Sequence, residues 1–152
     1  MRAAGGPDEW KLTTEPGGPF PAGRAAWAQL WPLHTSEHPS DPNPAPLDPN
    51  FDGSAVLTSD SECRYRFKTI KPGAYPAGPS LIRPSHIHFQ VTGRQDRLVT
   101  QLYFEGDPYN ATDPFLNSAP VKNILITKML DPSPEFEPGS KMVLWDIVVY
   151  KG

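Results

Sequence analysis

Two histidines one residue apart are the first feature with chemical content: His86 and His88, in the run His-Ile-His-Phe-Gln-Val-Thr over 86–92. On a β-strand, residues i and i+2 project from the same face, about 6.5–7 Å apart along the chain. Two imidazoles so placed can converge on one metal ion, while Ile87, Phe89 and Val91 make an opposite, apolar face that belongs to a core. An isolated His-x-His pair is more often two ordinary polar residues, so its flanks matter. Arg83 precedes His86 by three positions across a proline, and Tyr75 lies in Lys71-Pro-Gly-Ala-Tyr-Pro76, which predicts a rigid turn. Tyrosinate, imidazole and arginine together suit a hard, highly charged cation, and ferric iron binds a phenol as its phenolate. The competing reading of Tyr75 is an amphipathic turn residue, with its ring packed and its hydroxyl in water.

The elements that must position these groups read as β. Arg64–Ile70 alternates Arg64, Arg66 and Lys68 with Tyr65, Phe67 and Thr69, as a half-buried strand does. His86–Thr92, Leu98–Phe104 and Lys141–Tyr150 are further strands rich in β-branched and aromatic residues. Val121–Lys128 fits a strand or a short helix, and Ala25–Leu33 a short strand or a single helical turn. Turn signals at Pro72-Gly73, Gly78-Pro79, Gly93, Gly106 and Pro138-Gly139 separate the segments. Short strands with frequent turns predict an all-β antiparallel sandwich with long Pro-rich loops. Within that framework Trp145 is expected in the core, and Glu105 and Asp107 in a structural turn rather than as an acid–base pair. Cys63 reads as an inert thiol.

Composition supports this and excludes several classes. The chain has 152 residues, enough for one domain with a real core. It carries 14 basic and 17 acidic side chains, which is no electrostatic footprint for nucleic acid. No apolar run approaches the roughly 18 residues of a spanning helix, and the amino terminus has no apolar signal segment, so a cytoplasmic setting is expected. The single cysteine rules out an intrachain disulfide framework and a multi-cysteine zinc site. There are 20 prolines, which argues against long helices. Half of them fall before residue 51, which divides the chain into an atypical Pro/Gly/Ala-rich segment over 1–41 and a domain over 42–152.

Five blocks carry a resemblance. Ala45-Pro-Leu-Asp-Pro-Asn-Phe51, Arg64-Tyr-Arg-Phe-Lys-Thr-Ile-Lys-Pro-Gly-Ala-Tyr-Pro76 and Arg83-Pro-Ser-His-Ile-His-Phe89 come first. Thr100-Gln-Leu-Tyr-Phe-Glu-Gly-Asp-Pro108 and Asp146-Ile-Val-Val149 follow in order. Over about residues 42 to 152 the chain resembles the intradiol ring-cleavage dioxygenases of the protocatechuate 3,4-dioxygenase type. The cupins also place His-x-His on a strand, but they require a glutamate soon after, and none lies between His88 and Glu105. The resemblance implies a non-haem Fe(III) site with Tyr75, His86 and His88 as ligands, and a substrate pocket lined by Arg83 and Gln101. It implies a catechol and O2 as small-molecule partners, a muconate-type diacid as product, and assembly into homo- or hetero-oligomers. Arg83 would stabilise the negative charge that develops on the ring carbon attacked by oxygen.

The amino-terminal part departs from the family pattern. A second, axial tyrosine is expected ahead of Ala45; counting from Trp31 puts it at Pro39, and no tyrosine precedes Tyr65. His38 is the candidate replacement, against the simpler reading of an exposed loop histidine. The sandwich is therefore expected to lack or alter the family's amino-terminal strands, with iron retained less well and activity reduced. Two accounts stand side by side: a divergent or degenerate member, or a misread or truncated start ahead of Asp41; the alternative function is a non-catalytic structural or partner subunit.

Overall fold

A computed structural model of the chain describes the backbone of Glu9–Thr13 and Ala25–Gln29 and, with side chains, residues 54–60, 63–92, 97–132, 134 and 136–148. Ten strands organise the described residues: β1 (Glu9–Thr13), β2 (Ala25–Gln29), β3 (Ser54–Thr58), β4 (Arg66–Ile70), β5 (Tyr75–Gly78), β6 (Leu81–Arg83), β7 (His86–Thr92), β8 (Arg97–Phe104), β9 (Ile126–Thr127) and β10 (Lys141–Leu144). A five-stranded sheet runs β3-β2-β7-β8-β9, a three-stranded sheet β10-β1-β4, and β5-β6 form a separate hairpin. The pairings are antiparallel except for β1 with β10 and β8 with β9. The one α-helix, α1 (Pro114–Ser118), has a single turn among the described residues. None of them forms a helix long and apolar enough to cross a membrane.

The alternation along β7 decides the layering. Ile87, Phe89 and Val91 are buried, together with Leu102 and Phe104 of the neighbouring β8. They pack with Phe67 of β4, Val143 of β10, and Trp145 and Ile147 just beyond it, so the two larger sheets share one core. The Phe89 ring is its hub, with centroids 4.9 Å from Trp145, 5.9 Å from Phe67 and 6.1 Å from Tyr65. Burial of this kind contributes about 1.5–3 kcal/mol per large side chain. The indole of Trp145 donates to the Ile124 carbonyl at 2.7 Å, and the Tyr65 hydroxyl to the Trp145 carbonyl at 2.9 Å, so both polar handles are satisfied. The expected sandwich with Trp145 in its core is observed.

Three segments differ from the sequence reading. The Lys141–Tyr150 strand ends at Leu144, where its pairing with β1 stops at Thr13. Trp145 and Ile147 stay buried while Asp146 and Val148 are exposed, so the alternation outlasts the ladder. Val121–Lys128 is neither a strand nor a helix throughout: a 3-10 turn over Lys122–Leu125 hands over to β9. Tyr75, expected in a rigid turn, opens β5, and the chain reverses at Pro79 and Ser80 instead. Pro76 is compatible because this hairpin stands outside the larger sheets, where its missing N–H costs no ladder bond.

Candidate metal centre

The strand face opposite the core carries His86, His88, Gln101 and Tyr103. His86 pairs in register with Tyr103 and His88 with Gln101, so the four side chains share one patch of the β7–β8 hairpin. The β5–β6 hairpin closes over it, with Tyr75 and Arg83 as direct register partners. The geometry brings together all five residues singled out from sequence. The His86 ring lies 5.7 Å from that of Tyr75 and 4.9 Å from that of His88, centroid to centroid. The two Nε2 atoms are 3.1 Å apart, aimed at the same region. His38 lies outside the described residues.

Hydrogen bonding selects the histidine form. Nδ1 of His86 lies 2.7 Å from the Pro84 carbonyl, which can only accept, so Nδ1 carries the proton and Nε2 keeps its lone pair. Burial, followed by the charges of Arg83 and His88, pushes the His86 pKa down to about 4 against the pull of the Pro84 carbonyl. Burial and Arg83 likewise push His88 down to about 4. Both imidazoles are therefore neutral at pH 7, the state a metal ligand requires. Among the described residues no group of three or more His, Cys, Asp and Glu side chains could hold a metal ion. The two imidazoles, together with the phenol of the neighbouring Tyr75, would offer a mixed O,N donor set of the kind that fits a ferric ion.

Arg83 is the centre of the surrounding network. Its Nε donates to Asp113 Oδ2 at 2.9 Å, Nη1 lies 3.1 Å from His86 Nε2, and Nη2 donates to Gln101 Oε1 at 2.7 Å and to the Tyr103 hydroxyl at 3.0 Å. Burial alone would lower its pKa, but the hydrogen bond and charge of Asp113, with Tyr103 and Tyr75, hold it above the ordinary value. Asp113 is the converse: burial opposes its ionisation, while Arg83 and the Leu116 N–H keep its carboxyl below the usual range. Burial and Asp113 raise the Tyr103 phenol, so it stays protonated. Its ring stacks on His86 at 5.6 Å.

Sequence reasoning did not single out Asp113 or Tyr103. The available signals were weak: Tyr103 sits two residues after Gln101 on the same strand face, and Asp113-Pro114 has the form of an N-cap followed by proline. Asp107 does have the expected structural role, accepting from the N–H groups of Ser85 at 2.9 Å and Tyr109 at 3.0 Å. Glu105 is exposed, with Lys128 at 3.8 Å.

A mostly-strand sandwich gathers a phenol, two neutral imidazoles and a paired guanidinium on one polar face. A family model described as "Dioxygenase" matches residues 12–151, and the chain belongs to the intradiol ring-cleavage dioxygenases within that family. It is 54% identical over 87 residues to a protocatechuate 3,4-dioxygenase beta chain from Burkholderia cepacia, an alignment covering 55% of this chain and 37% of that one. It is 34% identical over 99 residues to an intradiol ring-cleavage dioxygenase from Aspergillus niger, covering 56% of this chain and 29% of the relative. The match thus spans well under half of these relatives. In fold the chain is similar to a 3-chlorocatechol 1,2-dioxygenase from Rhodococcus opacus, with a TM-score of 0.69 at 18% identity over 95% of this chain and 61% of that one.

Proposed function

We propose that the chain is an intradiol dioxygenase that cleaves a catechol, protocatechuate-like, with O2, using a non-haem Fe(III) held by Tyr75, His86 and His88. The observation that carries this is the meeting of the Tyr75 and His88 rings around His86, at 5.7 and 4.9 Å, beside a buried arginine. When bound, ferric iron supplies Lewis acidity and a template for the catechol oxygens. The chain's own residues supply the rest. The Pro84 carbonyl fixes the His86 tautomer, which is how an outer partner orients a ligand. Arg83 cannot lose its proton, so it offers a constant positive field to negative charge developing on the substrate ring. Gln101, its carbonyl oxygen engaged by Arg83, has its amide nitrogen left as a donor for a substrate oxygen.

The overall reaction is balanced without an external reductant: both atoms of O2 enter the product as the bond between the two oxygen-bearing ring carbons breaks, giving a muconate-type diacid. A cytoplasmic setting and association with further copies or a second chain complete the proposal. A second reading is a non-catalytic family member that acts as a structural or partner subunit; it is favoured by the lack of any tyrosine ahead of Tyr65 to serve as a second phenol ligand.

Iron content and an optical spectrum separate the two, followed by oxygen uptake on a panel of catechols. The enzymatic reading predicts a burgundy-to-red protein whose spectrum shifts with catechol and which consumes O2. Colourless, iron-free protein with no uptake would overturn it.

A further inference from the structure

We propose that Asp113 is a positioning residue which, with Phe115, clamps the Arg83 guanidinium beside His86 and Gln101. The consequence for turnover rests on the function proposed above; the clamp itself does not. Arg83 ends a three-residue strand, and its long side chain needs outside partners to hold one orientation. Asp113 provides them in the guanidinium plane: Oδ2 accepts from Nε at 2.9 Å and Oδ1 lies 3.4 Å from Nη2. The carboxylate is itself immobilised, since Oδ1 also accepts from the Leu116 N–H at 2.7 Å and from the Tyr103 hydroxyl at 3.2 Å.

Phe115 acts from above the plane, with its ring centroid 4.3 Å from the guanidinium carbon. This ring is 56% exposed, so burial does not explain its position, whereas a cation–π contact does. Both arms come from the single turn of α1, with Asp113 as its N-cap. Capping alone would be served equally by Asn, Ser or Thr. A carboxylate is distinguished from these by the charge it presents to a guanidinium when both are buried, at 0% and 5% exposure. Held this way, Nη1 faces His86, and Nη2 donates to Gln101 and to the Tyr103 hydroxyl.

The test compares Asp113→Asn, which keeps a capping oxygen but removes the charge, with wild type, Asp113→Glu and Phe115→Ala. The first readout is hydrogen exchange of the Arg83 Nε–H by nitrogen-15 NMR, identified by its loss in Arg83→Lys. Exchange about tenfold faster or more in Asp113→Asn, and faster in Phe115→Ala, is expected. The second readout is turnover of a catechol: kcat falls roughly 10- to 100-fold in Asp113→Asn with KM little changed, and Asp113→Glu recovers part of it. A folded Asp113→Asn with wild-type exchange would show a cap and nothing more, overturning the proposal. Should that variant not fold, Phe115→Ala decides alone, and unchanged Nε–H exchange there overturns the clamp. If no catechol is turned over, the proposed function fails, and the NMR comparison still decides this one.

Discussion

Tyr75 is half buried, and it is the side chain whose ring the β5–β6 hairpin brings beside His86. Tyr75→Phe therefore keeps the packing and removes one oxygen. Thermal stability of the metal-free protein should stay near wild type while the visible absorption of iron-loaded protein disappears; unchanged colour would assign the phenolate elsewhere. The histidines give a pH prediction. An unfolded histidine titrates near 6.5, and both folded values lie at about 4. As pH falls from about 6.5 towards 4, the unfolded chain takes up protons that the folded metal-free chain refuses, so stability is lost across that window. Denaturant melts between pH 7 and 4 should show the fall, and His86→Gln should flatten it. The pair itself was legible because strand periodicity is local. Asp113 was not, because its partner Arg83 is 30 residues away and only the folded chain joins them.

At the level of elements, β7 was readable to the residue, since every second side chain enters the core and nothing interrupts the alternation. Tyr75 was misplaced because Pro76 looks like turn punctuation, yet its fixed φ also suits an extended hairpin strand free of the larger sheets. β1 went unread for a different reason: five residues lying among prolines and glycines become a strand only through β4 and β10, which arrive far later in the chain. Two glycines test how the site's elements are joined. Gly106 has φ +82°, leaving β8 for the 3-10 turn that brings Asp107 to Ser85. Gly78 has open space around a Cβ and no such φ. Gly106→Ala should cost about 1–2 kcal/mol from left-handed strain alone. Gly78→Ala should be neutral or stabilise by about 0.4–1 kcal/mol through the unfolded state. Paired urea titrations check the opposite signs.

Across the whole molecule the two halves of the candidate centre belong to different bodies of structure. His86 and His88 lie on the five-stranded sheet, whose other face is the shared core, whereas Tyr75 lies on a hairpin joined to it by Pro84 and Ser85 and by the hydrogen bonds of Arg83. The core does not depend on the centre: Phe89→Ala should cost about 3–5 kcal/mol with or without metal, because it empties the hub between the sheets. A ferric ion held as proposed would cross-link hairpin and sheet, so it should stabilise the folded chain in proportion to occupancy. Free iron at a hundredfold excess over its Kd corresponds to about 2.7 kcal/mol. Hydrogen exchange should then slow in residues 75–83 while the already protected amides of β7 and β8 change little. Tyr75→Phe should remove the hairpin protection and retain whatever affinity the imidazoles provide alone. Hairpin protection that persists in that variant would mean that the metal does not act on the hairpin through Tyr75, and the three-ligand centre would have to be abandoned.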